Sequence, residues 1–280
     1  MADSVHVSVT KADKTVVDVT GTITPGATIT ETPPAAVVPP VGPVAPVIPA
    51  TAKVIDCLPL TWSAAQDPAT NPGKASATGT STYPVTFNGS TGLRQFNFTL
   101  GNRGGILFHC NPLSDGSQYR NFCLEFDAES PDWSNIACQE TDLNWVDNSG
   151  TGANAGKGAV TIIGQQLAGW DNCAEITAVS GGACHWQKTS VTPADPRTWA
   201  KGSRHKVRWF SSHNAFGIVT YLGVEIDGVF HPFTTNNVLS SLDLLNWTAG
   251  LLNAQLQLDG SSTGSVASVI YAHAYTVSCW

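Results

Sequence analysis

The sequence has few charged residues, and those of positive charge are the scarcer kind. Charged residues make up 12% of the 280 positions, and 14 Lys and Arg stand against 21 Asp and Glu, which gives a net charge of −7. A nucleic-acid-binding surface needs a basic stripe to neutralise phosphates, so the composition excludes that partner class. No apolar run approaches the roughly 18 residues of a membrane span, and no basic amphipathic segment favours a membrane surface.

The sequence also lacks the long 3.6-residue periodicity and the Glu- and Lys-rich faces of surface helices. Short runs of alternating apolar and polar residues, separated by Gly, Asn, Asp and Ser, follow one another from about Thr51 to the C-terminus. This pattern predicts an all-β fold with two packed sheets, a sandwich or jelly roll. No internal repeat of 20–50 residues is visible, which excludes propellers and solenoids.

Composition changes divide the chain into three segments. Residues 1–32 alternate small apolar and polar residues and predict an N-terminal β-ribbon. Residues 33–50 are rich in proline, which favours polyproline II, either as a linker or as an arm that packs on a neighbouring subunit. Residues 51–280 form the predicted sandwich domain, so residues 5–50 are the segment through which the chain would join another copy of itself.

The seven cysteines and the single methionine, Met1, predict an oxidised, extracellular or cell-surface protein. The chain starts MADS without an apolar signal core, which indicates a mature sequence, a non-classical export route or a virion origin. We predict disulfides between cysteines in the terminal strands or flanking one loop or hairpin: Cys57–Cys279, Cys173–Cys184 and Cys110–Cys123, with Cys123–Cys138 as the alternative to the last.

Two acidic, strand-like runs lie within about one hairpin's length. In residues 122–127, apolar residues alternate with Glu125 and Asp127, and in residues 136–145 one parity carries Glu140, Asp142 and Asn144. Alternate residues share a face of a strand, so each run predicts an acidic sheet face. Such a face is either functional or simply solvated.

Several short segments resemble one family of proteins. They are NFCLEFDAES, CQETDLN, GQQ at 164–166, HW at 185–186, PRTW at 196–199, YLGVEIDG and QLDG at 257–260. In their order and character they are similar to uncharacterised secreted bacterial proteins with a concanavalin A-like lectin/glucanase fold. The resemblance implies a concanavalin A-like jelly-roll domain.

Laminarinase-type endoglucanases of that fold carry an E-x-D-x-E strand with two catalytic glutamates. Glu125, Asp127 and Glu129 fit the letters of that motif, but Glu125 and Glu129 would lie about 13 Å apart on a flat strand, whereas a retaining pair needs about 5 Å. The run Glu140–Asn144 better fits the strand order, and there Asn144 occupies the acid/base position. An amide cannot deliver the required proton, so this reading favours binding without hydrolysis.

Legume-type lectins, also of that fold, bind metal ions through an E-x-D pair and further Asp, Asn and His ligands. Glu125, Asp127, Asp132 and Asn135 resemble part of that set, but no His follows before Trp145. We therefore expect no cofactor, with calcium as the one metal that oxygen ligands alone would suit.

The sequence thus predicts a secreted, lectin-like protein that binds a polysaccharide or other glycan on an acidic, concave sheet face. Glu140, Asp142 and Asn144 would bind sugar hydroxyls, with Gln165 and Trp186 at the edge. Two alternatives are a structural subunit of an extracellular fibre, joined through the N-terminal arm, and a glycoside hydrolase that uses Glu125, Asp127 and Glu129, or Glu140.

Overall fold

The structure is a computed structural model of the whole chain. It describes residues 3–10, 16–23, 43–66, 76–114, 119–146, 159–180, 183–192, 194–213, 218–233, 237–239, 241–243, 252–261 and 265–280. Apart from a 3₁₀ turn at Pro196–Thr198, the regular elements of these residues are strands. No helix among the described residues is long and apolar enough to cross a membrane.

The strands, in chain order, begin with β1 (Asp3–Thr10), β2 (Val16–Ile23), β3 (Lys53–Asp56), β4 (Ser63–Gln66), β5 (Ala77–Phe87), β6 (Ser90–Leu100) and β7 (Gly105–Leu113). They continue with β8 (Asn121–Glu129), β9 (Ile136–Val146), β10 (Ala159–Ala168), β11 (Cys173–Ser180), β12 (Ala183–Lys188) and β13 (Arg204–His213). The last are β14 (Ile218–Ile226), β15 (Val229–Pro232), β16 (Asn237–Leu239), β17 (Ser241–Asp243), β18 (Leu252–Gly260) and β19 (Val266–Cys279).

The chain divides into two compact units, Met1–Gly42 and Pro43–Trp280. In the first unit, β1 and β2 pair antiparallel along their full length, as the alternation in residues 1–32 predicts. The boundary between the units falls inside the predicted proline arm, and its last residues, from Pro43 onward, belong to the second unit. The rest of the arm, 33–42, lies outside the described residues.

The second unit contains two antiparallel sheets. Sheet I has the order β12-β11-β10-β9-β18-β7-β4, with β17 beside β10. Sheet II has the order β15-β14-β13-β8-β19-β6-β5, with β16 beside β14 and β3 beside β19. The all-β, jelly-roll-like sandwich is therefore confirmed.

Alternation along the strands builds the core between these sheets. Phe96 of sheet II and Phe108 of sheet I meet with their ring centroids 4.9 Å apart, and Trp62 packs edge-on to Tyr275 at 5.0 Å. Leu143, Leu256 and other apolar residues on the same face of sheet I are buried in this cluster. The opposite parity of each strand forms the outer faces of the sandwich.

The predicted disulfides are wrong, because the strand register keeps their cysteines apart. Cys279 lies opposite Lys53, whereas the Cys57 N–H donates to the carbonyl of Tyr275, so these two cysteines are about 13 Å apart. Cys184 lies opposite Val179, about 20 Å along β11 from Cys173. A disulfide tolerates a Cα separation of only about 7 Å.

The predicted Cys110–Cys123 bond and its alternative, Cys123–Cys138, fail for a different reason. Cys110 lies in the core between the sheets. Cys123 packs with Phe210 and Phe230 on the outer face of sheet II, and Cys138 is on the opposite strand parity from the core residue Leu143, on the outer face of sheet I. No disulfide joins any two of the six cysteines whose side chains are described in this structure.

One segment of the predicted arm covers part of sheet II. Ala45 and Ile48 pack on the apolar patch formed by Cys123, Phe210 and Phe230. Val44 and Val47, between them, remain 74% and 83% exposed. The segment Pro43–Ile48, which we call the strap, is thus bound to the chain's own sandwich domain.

Candidate functional site

The two acidic runs lie on opposite outer faces of the sandwich. The first run is in β8 at the centre of sheet II, and the second is in β9 at the centre of sheet I. Local sequence makes them look alike, but their cross-strand neighbours differ.

In sheet II, β8 pairs with the basic strand β13. Its register sets Glu125 opposite Arg208, Asp127 opposite Lys206 and Glu129 opposite Arg204. Asp127 accepts two hydrogen bonds from Arg204, at 2.6 Å to Nε and 2.8 Å to Nη2. Burial raises the pKa of Asp127, but the hydrogen bonds and charge of Arg204, together with the charges of Lys206 and His273, outweigh it and hold the pKa below its usual value.

The other two carboxylates of β8 also have cationic or basic partners. Lys206 Nζ lies 3.4 Å from Glu125 Oε1, and His273 Nε2 lies 3.1 Å from Glu129 Oε1. Arg204 and Lys206 thus form ion pairs with β8, and Arg208 of the same strand pairs with Glu225 of β14. We call these pairs the ion-pair ladder, and they account for the acidic alternation of this run without a catalytic role for Glu125, Asp127 and Glu129.

The lectin-like metal set is not assembled here. Asp132 accepts a hydrogen bond from Lys201 Nζ at 2.6 Å, which lowers the Asp132 pKa to about 2, and Asn135 Nδ2 donates to the Leu100 carbonyl at 3.4 Å. Among the residues that the structure describes, no group of three or more His, Cys, Asp or Glu could hold a metal ion.

In sheet I, the second run lies between strands that carry amides. Register places Glu140 between Gln166 and Gln257, and Asp142 between Gly164 and Gln255. We call the outer face around this pair the polar platform, which consists of Glu140, Asp142, Asn144, Gln166, Glu175, Asn253, Gln255, Gln257 and Asp259.

Hydrogen bonds link the amides of the platform. Gln255 Nε2 donates to Asn253 Oδ1 at 2.7 Å, and Asn144 Nδ2 donates to the same oxygen at 3.5 Å. Gln166 accepts from the Cys138 thiol at 2.8 Å and donates to Glu175. These bonds fix the orientation of the amides, so the face is preorganised.

Glu140 and Asp142 form the centre of the platform. Their exposed fractions are only 9% and 6%, and their carboxyl groups are hydrogen-bonded to each other, which requires a shared proton. Burial raises the pKa of Asp142 to about 6, although the hydrogen bond to Glu140 opposes that shift. One oxygen of Asp142, Oδ1, is fully buried and has no hydrogen-bond partner within the described part of the chain.

Gly164 leaves room for the Asp142 carboxylate. A Cβ at position 164 would lie 3.0 Å from Asp142 Oδ1 and 2.5 Å from Thr177 Cγ2. The Gly164 N–H donates to Thr177 Oγ1 at 3.1 Å. Any side chain here would therefore displace the two groups on either side of it.

Two predicted edge residues have different positions. Trp186 is on β12, an edge strand of sheet I, where it lies opposite Thr177 of β11 and is 38% exposed. Gln165 is not on the platform, because it pairs with Thr141 and alternates with Gly164 and Gln166. It is buried at 1% exposure, and its amide atoms, like those of Gln139, have no described partner.

Sequence reasoning missed Gln166, Asn253, Gln255 and Gln257. The signal was present in NAQLQLDG at 253–260, where polar residues alternate with Ala and Leu. Gln166 directly follows Gln165, which the sequence predicts at the edge of the binding face. Only the register of β10 against β9 distinguishes the outward glutamine from the inward one.

Comparisons with known proteins show similarity of fold alone. Neither a protein-family profile nor a curated protein matches the chain. Among solved structures it is similar to a native glycosidic hydrolase, with 12% identity over 84% of this chain and 98% of that one and a TM-score of 0.41. It is also similar to an endo-β-1,4-glucuronan lyase from the fungus Trichoderma reesei, with 13% identity over 80% and 94% of the two chains and a TM-score of 0.42.

A third similar structure is the family 11 carbohydrate-binding module of a Clostridium thermocellum cellulosomal cellulase. The identity is 12% over 81% of this chain and 93% of the module, and the TM-score is 0.34.

Proposed function

We propose that this protein is a secreted or cell-surface carbohydrate-binding protein whose binding face is the polar platform of sheet I. The observation that carries the proposal is the continuous set of carboxylates and oriented amides across β9, β10 and β18. Carboxylates accept hydrogen bonds from sugar hydroxyls, and amides both donate and accept. Glu140, Asp142 and Asn144 would be the central contacts, and Trp186 would offer a ring face at the edge.

The charge of the platform favours a neutral glycan over a polyuronate. Glu140, Asp142, Glu175 and Asp259 all lie on it or at its end, and Lys188, the basic residue opposite Glu175, is engaged by Asp171 at 2.6 Å. A polymer of uronic acids would bring carboxylates against carboxylates, and such like-charge contacts cost several kcal/mol. The ligand class is therefore a neutral, hydroxyl-rich polysaccharide.

Affinity electrophoresis and calorimetry test this proposal with mixed-linkage β-glucan, xylan and alginate. We expect binding to a neutral polymer and none to alginate. Substitution Glu140→Ala should weaken that binding by at least about tenfold, because it removes a central acceptor of the proposed binding face.

The matched control is Glu125→Ala. It removes the same side chain from the corresponding central strand of sheet II, where Glu125 pairs with Lys206. Binding should be unchanged in this variant. Equal losses in both variants, or no binding of any neutral polymer by the wild-type protein, would disprove the proposal.

A glycoside hydrolase is the second candidate, and the shared proton of Glu140 and Asp142 favours it, because a carboxyl group with a pKa of about 6 can act as a general acid. Two features oppose it. The carboxyls are in hydrogen-bond contact, closer than the about 5 Å of a retaining pair, and position 144 holds an amide. Release of reducing ends from the same polymers, abolished by Asp142→Asn, would establish this second function.

A further inference from the structure

Cys57 and Cys110 come together in the core, although neither is near the other in sequence. Cys57 follows β3, which pairs with β19 of sheet II, and Cys110 is in β7 of sheet I. Both side chains are almost fully buried, at 0% and 2% exposure. A hydrogen bond with the Cys57 thiol, together with burial, raises the pKa of Cys110.

The surrounding contacts hold this pair in place. The Cys57 N–H donates to the Tyr275 carbonyl at 2.8 Å, and the Tyr275 hydroxyl spans the gap between the sheets to the carbonyl of Gln255. Ala254, next to Gln255, pairs with Cys110. The carbonyl of Cys57 also accepts a hydrogen bond from Trp62 Nε1 at 2.8 Å. Backbone and side-chain contacts thus fix both cysteines from both sheets.

We propose that Cys57 and Cys110 form a disulfide that links sheet I to sheet II. The other four cysteines with described side chains have different surroundings: Cys123 and Cys138 lie on opposite outer faces, Cys173 lies opposite Ala168 at the start of β11, and Cys279 Sγ lies 3.7 Å from the Lys53 carbonyl. The Cys57–Cys110 pair is therefore the one that these contacts preorganise.

The reaction is thiol–disulfide exchange with a small-molecule disulfide such as oxidised glutathione. The thiolate of one cysteine attacks the glutathione disulfide, whose S–S bond breaks and releases one glutathione thiol. The second cysteine, after losing its proton, attacks the mixed disulfide and releases the second thiol. Two electrons and two protons pass from the protein to glutathione. Because both thiols are buried in the folded state, the exchange takes place during folding, before the sheets close.

Peptide mapping of the full chain tests the proposal without any variant. The protein is unfolded, reduced, refolded in a glutathione redox buffer, blocked with iodoacetamide and digested with trypsin. Cleavage after Lys and Arg puts Cys57 alone in residues 54–74 and Cys110 alone in residues 104–120. We expect one peptide pair, 54–74 joined to 104–120, that disappears on reduction.

Thermal unfolding provides the second measurement. Reduction should lower the Tm of the refolded protein by about 10 °C, and it should change the Tm of Cys110→Ala by little. Cys123→Ala, a buried cysteine outside the pair, should retain the reduction-dependent shift. Separate alkylation of both peptides after refolding, or linkage of either one to another cysteine, would overturn the proposal.

Discussion

At the scale of single residues, Asp142 combines a structural cost with a functional use. It is buried beside Glu140 and keeps one oxygen, Oδ1, without a partner among the described residues. A buried acceptor without a hydrogen bond lowers stability by about 1–3 kcal/mol. We propose that the protein tolerates this cost because Asp142 lies at the centre of the binding face.

The raised pKa of Asp142 predicts how stability depends on pH. The unfolded chain loses this proton near pH 4, whereas the folded protein keeps it up to about pH 6. The folded state therefore binds more protons in that window, so stability falls as pH rises from about 4 to 6. Asp142→Asn should remove this fall and make the protein more stable than the wild type at pH 7, by about 1–3 kcal/mol. Guanidinium unfolding at pH 4, 5, 6 and 7 measures it.

Asp132 provides a control, because its pKa is shifted in the opposite direction to that of Asp142. Lys201 lowers its pKa to about 2, so its contribution is present above about pH 4 and is lost as pH falls towards 2. Asp132→Asn should therefore destabilise slightly at pH 7 and leave the slope between pH 4 and 6 unchanged. If Asp142→Asn is less stable than the wild type at pH 7, the assignment of the shared proton is wrong.

At the scale of elements, strand pairing decides what each acidic run does. Alternation in the sequence correctly predicts which residues share a face, as for Glu140, Asp142 and Asn144. It does not reveal the partner strand, because the partners are distant along the chain: β13 brings Arg204, Lys206 and Arg208 to β8, and β18 brings Gln255 and Gln257 to β9. A run of acids becomes a neutralised ladder in one sheet and an acidic platform in the other.

The disulfide predictions failed for a related reason. They paired cysteines that are adjacent in the chain or lie in terminal strands. Register shifts these residues along the strands, and alternation turns Cys123 away from the core. The fold class depends on patterns summed over the whole chain and is robust to such errors.

The strap offers a prediction at this scale. Ile48 packs on the patch of Cys123, Phe210 and Phe230, whereas Val47 is 83% exposed. Ile48→Ala should lower the free energy of unfolding by about 1–2 kcal/mol, and Val47→Ala should change it by less than about 0.5 kcal/mol. Urea unfolding of the two variants measures the difference, and equal effects would show that the strap does not bind the sandwich in solution.

At the scale of the whole molecule, the two units suggest a division of roles. The unit Pro43–Trp280 contains both sheets and the platform. The β1–β2 ribbon is a two-stranded sheet, and such a sheet is only marginally stable alone and has two edges that can add strands. We propose that this ribbon pairs with the ribbon of another copy.

Deletion of residues 1–42 tests that role. The truncated protein should keep the Tm of the full chain within about 2 °C, because the deletion ends before the strap. By light scattering, the full chain should be oligomeric and the truncated protein monomeric. If light scattering gives the same number of chains per particle for both proteins, assembly through the ribbon is rejected.

The ion-pair ladder of sheet II has an electrostatic consequence for the approach of a ligand. Because Arg204, Lys206 and Arg208 compensate the acids of that face, its far field is weak. The platform carries four acidic side chains, Glu140, Asp142, Glu175 and Asp259, and contributes more of the overall negative potential. An approaching polyanion is therefore turned away from sheet I before contact. A neutral polymer is not repelled in this way. Its association rate should therefore stay constant as added salt shortens the range of the field.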